Sequence, residues 1–276
     1  ALDWSRISPA IFGSLFQSVM NPGERRALGA HYTEETNILK VINPLFLDEL
    51  KEELEKARGN IRKLDQLHDK LSKLKFLDPA CGCGNFLVIA YRELRLIEIE
   101  ILKEKNNKEQ IQQVLDISHL SKINVDQFYG IEIEEFPAQI AQVALWLMDH
   151  QMNMVLSSTF GQYYARLPLK TKPNIFRDNA LTIDWEKIVD PSILSYILGN
   201  PPFVGSKHQN QNQKMELIAI FNNSKNSGIL DYVAAWYGKA AKYIQGTSIK
   251  VGFVSTNSIT QGDRKSTRLN SSHIAV

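Results

Sequence analysis

The run Tyr196-Ile197-Leu198-Gly199-Asn200-Pro201-Pro202-Phe203 constrains this chain more than any other stretch. Strand-forming residues stop at Gly199, and two consecutive prolines cannot continue a central strand because each lacks the N–H that a ladder needs. A strand must end here, in a stiff loop rich in carbonyl acceptors. In open α/β sheets, ligands bind at the carboxyl ends of the strands. The loop offers the Asn200 side-chain amide, the Pro201 carbonyl and the Phe203 ring, on which a flat heterocycle can stack. It suits an amino group that must be held by acceptors alone. A strand closed by an ordinary Pro-Pro turn explains the same residues, so the remainder of the chain decides between the two.

A second stretch has the same strand-then-loop form. Phe76-Leu77-Asp78 reads as a short strand, Pro79-Ala80-Cys81-Gly82-Cys83-Gly84 as a turn, and the residues from Phe86 to Leu102 as an apolar-periodic helix. Gly82 and Gly84 let the backbone approach a nucleotide-like cofactor at the start of a first βα unit. The dinucleotide fingerprint is incomplete, since Leu87 replaces its third glycine, and no Gly-Lys-Ser/Thr makes it a P-loop. Asp78 at the strand end would repel a phosphate and welcome an ammonium or sulfonium group.

Two further strand ends carry acids. Glu132 closes Phe128-Tyr129-Gly130-Ile131-Glu132 and stands where a doubly wound sheet takes ribose hydroxyls, although a solvated Glu beside Glu134 and Glu135 is the ordinary alternative. Asp178, in Phe176-Arg177-Asp178-Asn179, is placed to accept from an exocyclic amine, or to form a simple Asp-Asn turn.

At 276 residues the chain can hold one large α/β domain. The formal charge of +2 announces no polyanion-binding tail, and neither requires nor excludes a nucleic-acid partner. Cys81 and Cys83 are too close for an ordinary disulfide and too few for a zinc site, which favours reduced thiols and a cytoplasmic setting. No stretch nears the roughly 20 apolar residues of a membrane helix, and no signal peptide opens the chain. Helices are predicted from Trp4 to Met20, from Glu34 towards Leu50 with Thr33 as cap, and from Pro137 to Met152. Lys51 to Lys75 reads as a solvated helical pair broken near Gly59-Asn60, with no chemistry of its own. Trp146 and Met148 are expected in the core, and Gln209 to Lys214 in a polar surface loop.

Strands near Phe76, Phe128, Ile175, Tyr196 and Val251 alternate with helices, which is the pattern of a doubly wound, mostly parallel α/β sheet. The first and fourth strands should be neighbours, bringing Asp78 beside Asn200.

Asp78-Pro79-Ala80-Cys81-Gly82-Cys83-Gly84-Asn85-Phe86 together with Asn200-Pro201-Pro202-Phe203 resembles the paired signature of amino-group DNA methyltransferases. Gly29-Ala30-His31-Tyr32-Thr33 resembles their N-terminal cofactor motif, and its place ahead of the glycine loop is similar to the gamma arrangement. Ile140-Ala141-Gln142, Ala144 to Leu147, Leu230 to Tyr237 and Phe253 to Gly262 resemble the methyltransferase portion of type IIL restriction-modification enzymes. The resemblance runs from about Trp4 to Asp263. It implies a class I methyltransferase fold, S-adenosylmethionine as cofactor and double-stranded DNA as partner, with a nuclease and a target-recognition domain fused or associated. It also implies a role in restriction-modification or phage defence.

By the same resemblance, His31, Tyr32, Thr33, Asp78, Pro79, Ala80, Gly82 and Gly84 would hold the methionine moiety. Glu132 would take the ribose, Ile133 the adenine face, and Asp178 with Asn179 the cofactor's amino group. Asn200, Pro201, Pro202 and Phe203 would form the catalytic loop. Two acceptors, Asn200 Oδ1 and the Pro201 carbonyl, would draw an adenine N6 amine towards tetrahedral geometry during direct displacement, and Phe203 would stack on the flipped base. Neither a cysteine nucleophile nor a metal is needed. Tyr32 and Tyr232 are weaker candidates for lining the site. Cytosine N4 and protein-glutamine methylation pose the same chemical problem and stay as alternatives, beside RNA methylation and a non-catalytic cofactor-binding module.

Three regions are expected: an N-terminal helical segment over 1–75, an incomplete catalytic core over 76–263, and a non-native tail over 264–276. The tail is polar and without period. The last strands are expected to be missing and the fifth strand to form an exposed edge.

Overall fold

The computed structural model describes residues 33–109, 121–161, 171–222, 229–255 and 274–275. The five apolar runs become strands β1 (Phe76–Asp78), β2 (Phe128–Glu132), β3 (Asn174–Arg177), β4 (Tyr196–Gly199) and β5 (Lys250–Phe253), and a two-residue strand, β6 (Ile274–Ala275), joins them. All pair in parallel, in the order β3-β2-β1-β4-β5-β6. The chain winds outward from β1, returns to its other side, and winds outward again. Phe76 faces Tyr196 and Leu77 faces Ile197 across the β1–β4 pair, so the reversal point lies between the two strands expected to meet there.

One expectation is corrected at the sheet's end. Ile274 and Ala275 pair with Val251 and Gly252, so at those residues β5 is not an exposed edge and the tail takes part in the sheet. The physical reason is that β5's outer row of N–H and C=O groups is a template for any extended apolar dipeptide. Residues 256–273, the rest of that segment, lie outside the described residues, as does the expected helix from Trp4 to Met20.

Strand periodicity divides the interior in two. Phe76, Phe128, Ile175, Tyr196 and Leu198 enter one core, while Leu77, Ile131, Ile197, Val251 and Phe253 enter the other. Helices α1 (Glu35–Ile42), α2 (Asp48–Ala57), α3 (Ile61–Lys73), α4 (Asn85–Glu109) and α5 (Glu135–Phe160) cover the first face, with a π-helical turn at Asn43–Leu47 joining α1 to α2. Helices α6 (Gln211–Ile220) and α7 (Ala234–Tyr243) cover the second, with Trp185 fully buried beside them. The break between α2 and α3 falls where expected, and Asn60 caps α3 by accepting from the Lys63 N–H at 3.2 Å. Trp146 packs half-buried against the first core and Met148 lies within it. Helix α5 outruns its expected span and stops at Gly161, which takes the left-handed conformation that helix ends favour.

Two stretches behave differently from their composition. Gln209 to Lys214 is not a polar surface loop. Asn210 and Gln213 form a reciprocal capping box that starts α6, and Gln209 is buried, donating from Nε2 to the Val204 and Leu230 carbonyls at 2.9 Å each. The charge-rich α3 also buries a polar group. His68 Nε2 meets Glu98 Oε1 at 2.8 Å, and Glu98 accepts from Ser121 Oγ, the Lys122 N–H and the Ile123 N–H. Arg95 Nε lies 3.0 Å from Glu98 Oε2 as an ion pair, off line for a hydrogen bond. Its other nitrogens donate to the Tyr91 hydroxyl, Asp149 and Asn153. This network ties α3, α4 and α5 together beneath the sheet.

Candidate functional site

The centre of the site is a close approach between β1 and β4. Asp78 is buried at the end of β1, and Oδ1 accepts from the Ala80 N–H at 3.0 Å. The same carboxylate lies against Gly199. A Cβ at that position would stand 2.4 Å from Asp78 Oδ1, and Gly199 has φ of 151°. Only glycine allows both the approach and the backbone turn. Burial pushes the Asp78 carboxyl up to about 8, with the nearby Glu132 charge adding to the shift and the Ala80 N–H opposing it. A cationic group beside it would restore the carboxylate.

Glu132, from the neighbouring β2, holds the glycine turn in place. Its Oε2 accepts from the Gly82 N–H at 2.9 Å and its Oε1 from the Glu134 N–H at 2.9 Å. Each oxygen keeps a second lone pair, so the acid can still accept from a ligand hydroxyl. Desolvation raises its pKa, against those backbone bonds. Gly84 begins α4 with φ of 84°, and a Cβ there would meet Ala141 Cβ of α5 at 3.0 Å; any larger residue would drive α4 away from α5. Pro79 is buried and its carbonyl accepts from Trp236 Nε1 of α7 at 3.0 Å, while Ala80 packs against the second core. Cys81 and Cys83 are buried, unbridged thiols with titration pushed up by burial, Cys83 to about 12. Just beyond Glu132, Ile133 is 53% exposed, an apolar surface available to a flat ring.

The loop after β4 is fastened at both ends. The Val254 N–H donates to the Gly199 carbonyl at 3.0 Å. Asp231 accepts from the Val204 N–H, and the Val204 carbonyl accepts from the Tyr232 N–H and from Gln209. Pro201 is buried, Pro202 is half-buried, and Phe203 is half-buried against the second core. Within this held loop, Asn200 donates from Nδ2 to Thr33 Oγ1 at 2.8 Å, whereas its Oδ1 is buried and accepts from no group among the described residues. Thr33 therefore does not cap the following helix, as its place before Glu34 suggested. Glu34 is the cap residue and makes no side-chain cap bond, and Thr33, one position earlier, uses its hydroxyl to accept from Asn200.

At the end of β3, Asp178 is exposed and turns its Oδ1 towards the Asn179 N–H at 2.7 Å. The Asn179 amide is used inside the protein: Oδ1 accepts from the Leu181 N–H at 2.9 Å and Nδ2 donates to Glu216 of α6 at 2.6 Å. Glu216 also accepts from the Tyr232 hydroxyl, which burial, together with that bond, holds in its protonated form. Tyr232 is buried and edge-on to Trp236. His31 and Tyr32 lie outside the described residues. Sequence reasoning missed Glu216, Trp236, Asp231 and Gln209 as supports of the site. The capping box beginning at Asn210 was the one local signal that a helix carrying Glu216 starts there.

The family described as MmeI, DNA-methyltransferase domain, matches residues 54–271. DNA methyltransferase A of Bacillus subtilis (strain 168) is 43% identical over 269 residues, covering 96% of this chain and 30% of that protein. The type II restriction enzyme and methyltransferase RM.Eco57I of Escherichia coli is 27% identical over 161 residues, 52% of this chain and 16% of that one. A solved structure of the type IIL restriction-modification enzyme MmeI in complex with DNA matches with a TM-score of 0.90 and 64% identity, over 95% of this chain and 35% of that one. The chain thus spans about a third or less of the length of each of these relatives.

Proposed function

The chain belongs to the DNA-methyltransferase domain family of MmeI, and from that premise we propose that it transfers a methyl group from S-adenosylmethionine to the N6 amine of an adenine flipped out of double-stranded DNA. The observation that carries this reading is Asn200 Oδ1: a buried acceptor without a partner among the described residues, at the carboxyl end of β4, in a loop whose two prolines supply no donor. Buried acceptors are rarely left unpaired. This one is placed for a donor that arrives with the substrate, and an exocyclic amine is such a donor.

The residues fit the cofactor. Asp78 is a buried carboxylate whose raised titration a cationic ligand would relieve, Glu132 retains acceptor capacity, and Ile133 offers an exposed apolar face. When bound, S-adenosylmethionine supplies an electrophilic methyl on a sulfonium. The chain's own part is to hold and orient. Asp78 and the Gly82–Gly84 turn would hold the cationic end, and Glu132, which fixes that turn, would accept from the ribose. Asn200 Oδ1 and the Pro201 carbonyl accept from the amine and stabilise the positive charge that grows on it, and Phe203 lies against the base. The amine proton leaves after transfer, when the nitrogen has become acidic.

The relatives support a wider setting. MmeI is a type IIL restriction-modification enzyme seen with DNA, and RM.Eco57I combines restriction enzyme and methyltransferase. A nuclease and a target-recognition domain acting with this chain, in the cytoplasm, follow as part of the proposal. Among the described residues, no helix is long and apolar enough to cross a membrane.

The test is a labelled-methyl assay on the natural gene product containing this chain, with duplex DNA and release-factor protein as competing acceptors, followed by nucleoside analysis. The expected product is N6-methyladenine. Label appearing only as N4-methylcytosine or methylglutamine would replace the adenine reading with one of its alternatives.

A further inference from the structure

Thr33 and Asn200 are 167 positions apart, yet the Asn200 side chain donates to the Thr33 hydroxyl at 2.8 Å, and Thr33 is nearly buried. Two facts about Asn200 give this contact a purpose. Its amide has one donor end and one acceptor end, and only the acceptor end helps an incoming amine. Rotated by half a turn, the same side chain would present N–H groups to the amine, donor against donor. The prolines that follow provide no N–H with which the loop backbone itself could select the correct face.

We infer that Thr33 is a positioning residue for the transfer step: by accepting from Asn200 Nδ2 it fixes the amide so that Oδ1, buried and unpartnered among the described residues, faces the reacting amine. The inference rests on the reading of Asn200 given above. Thr33 precedes α1, whose residues pack on α4 and β5, so its hydroxyl is held by a helix anchored independently of the loop. This role differs from cofactor contact, which the resemblance of Gly29 to Thr33 implies, and the two make different kinetic predictions.

The experiment compares Thr33→Val, Thr33→Ser and Asn200→Ala in the natural gene product, measuring kcat for methyl transfer to duplex DNA at saturating cofactor and, separately, cofactor Kd by calorimetry. Val keeps Thr's shape and removes the acceptor. It is expected to lower kcat by up to about a hundredfold, the scale of misplacing a reacting group by roughly 1 Å, with Kd unchanged; Ser, which keeps the hydroxyl, is expected to recover most of the loss. A Thr33→Val enzyme with wild-type kcat overturns the inference, and so does one whose only defect is a raised cofactor Kd. If Val disturbs folding, as an altered circular-dichroism spectrum would show, Thr33→Ala is read by the same two quantities. An Asn200→Ala enzyme that still transfers at the wild-type rate would bring down the reading of Asn200 itself. A dead Asn200→Ala beside an unimpaired Thr33→Val would bring down only the role of Thr33.

Discussion

At the scale of single residues, the site separates substrate contacts from cofactor contacts, and substitutions should separate them too. On the proposed reading Asn200 Oδ1 meets only the amine, so Asn200→Ala is expected to cut transfer by roughly 10²- to 10³-fold while cofactor affinity stays near the wild-type value. Calorimetric loss of cofactor binding in that variant would refute the assignment. Asp78 gives the opposite pattern, with a pH signature. Its carboxyl is pushed up to about 8, chiefly by burial. A raised carboxyl contributes stability that is full below the ordinary carboxyl range and is lost as the pH climbs through about 8. A cationic ligand instead needs the ionised form. Cofactor affinity should therefore increase with pH, by up to about tenfold per unit below 8, and Asp78→Asn should remove that slope. Titrations of the wild type and the variant from about pH 6 to about pH 9 check it, and parallel profiles would take Asp78 away from the cation.

At the scale of elements, the network under α3, α4 and α5 is the most exacting feature. Burial works against the Glu98 charge, yet His68, Arg95 and the Lys122 N–H together hold its titration below the ordinary carboxylate value. A depressed carboxyl contributes stability above the ordinary range that disappears as the pH falls through its folded pKa, so the fold should lose this contribution in acid. Glu98→Ala leaves the Ser121 hydroxyl and the Lys122 and Ile123 N–H groups without their acceptor while Arg95 keeps Asp149, and is expected to cost roughly 1–3 kcal/mol for each buried donor left unsatisfied. The urea midpoint should fall with its slope unchanged; an unchanged midpoint would mean that the pairing contributes nothing net. The sequence concealed this cluster because the surrounding Lys, Arg and Asp residues of α3 read as solvent-facing, and periodicity alone does not tell a buried His68 from a surface one. Strands were legible where apolar runs meet a breaker, as at Asp78-Pro79 and Gly199-Asn200-Pro201, since both signals are local. Helix α6 was misread because its Gln/Asn composition outweighed the capping box that starts it. The pairing of Ile274 with Val251 and the bond from Asn200 to Thr33 join residues far apart in sequence, and no local pattern marks either partner.

At the scale of the whole molecule, the site belongs to no single element. Asp78 ends β1 and the glycine turn follows it, Glu132 ends β2, Asn200 follows β4, and Thr33 stands before α1. These strands are also where the two cores meet: Phe76 enters one and its neighbour Leu77 the other, and Tyr196 and Ile197 divide in the same way. Neither core can come apart without displacing β1 and β4, so the two faces should unfold together, and a ligand held across the strand ends should oppose that one transition. Cofactor at about 100 times its Kd contributes about 2.7 kcal/mol. For a domain of this size, that corresponds to a Tm higher by about 5–10 °C. Calorimetry of the wild type should show one transition moving upward as cofactor is added. In Asp78→Asn the same concentration should move it less, since the cation's partner is gone. Two transitions of which only one responds would show that the cores unfold separately. An unmoved Tm in the wild type would mean that these strand ends do not form the cofactor site.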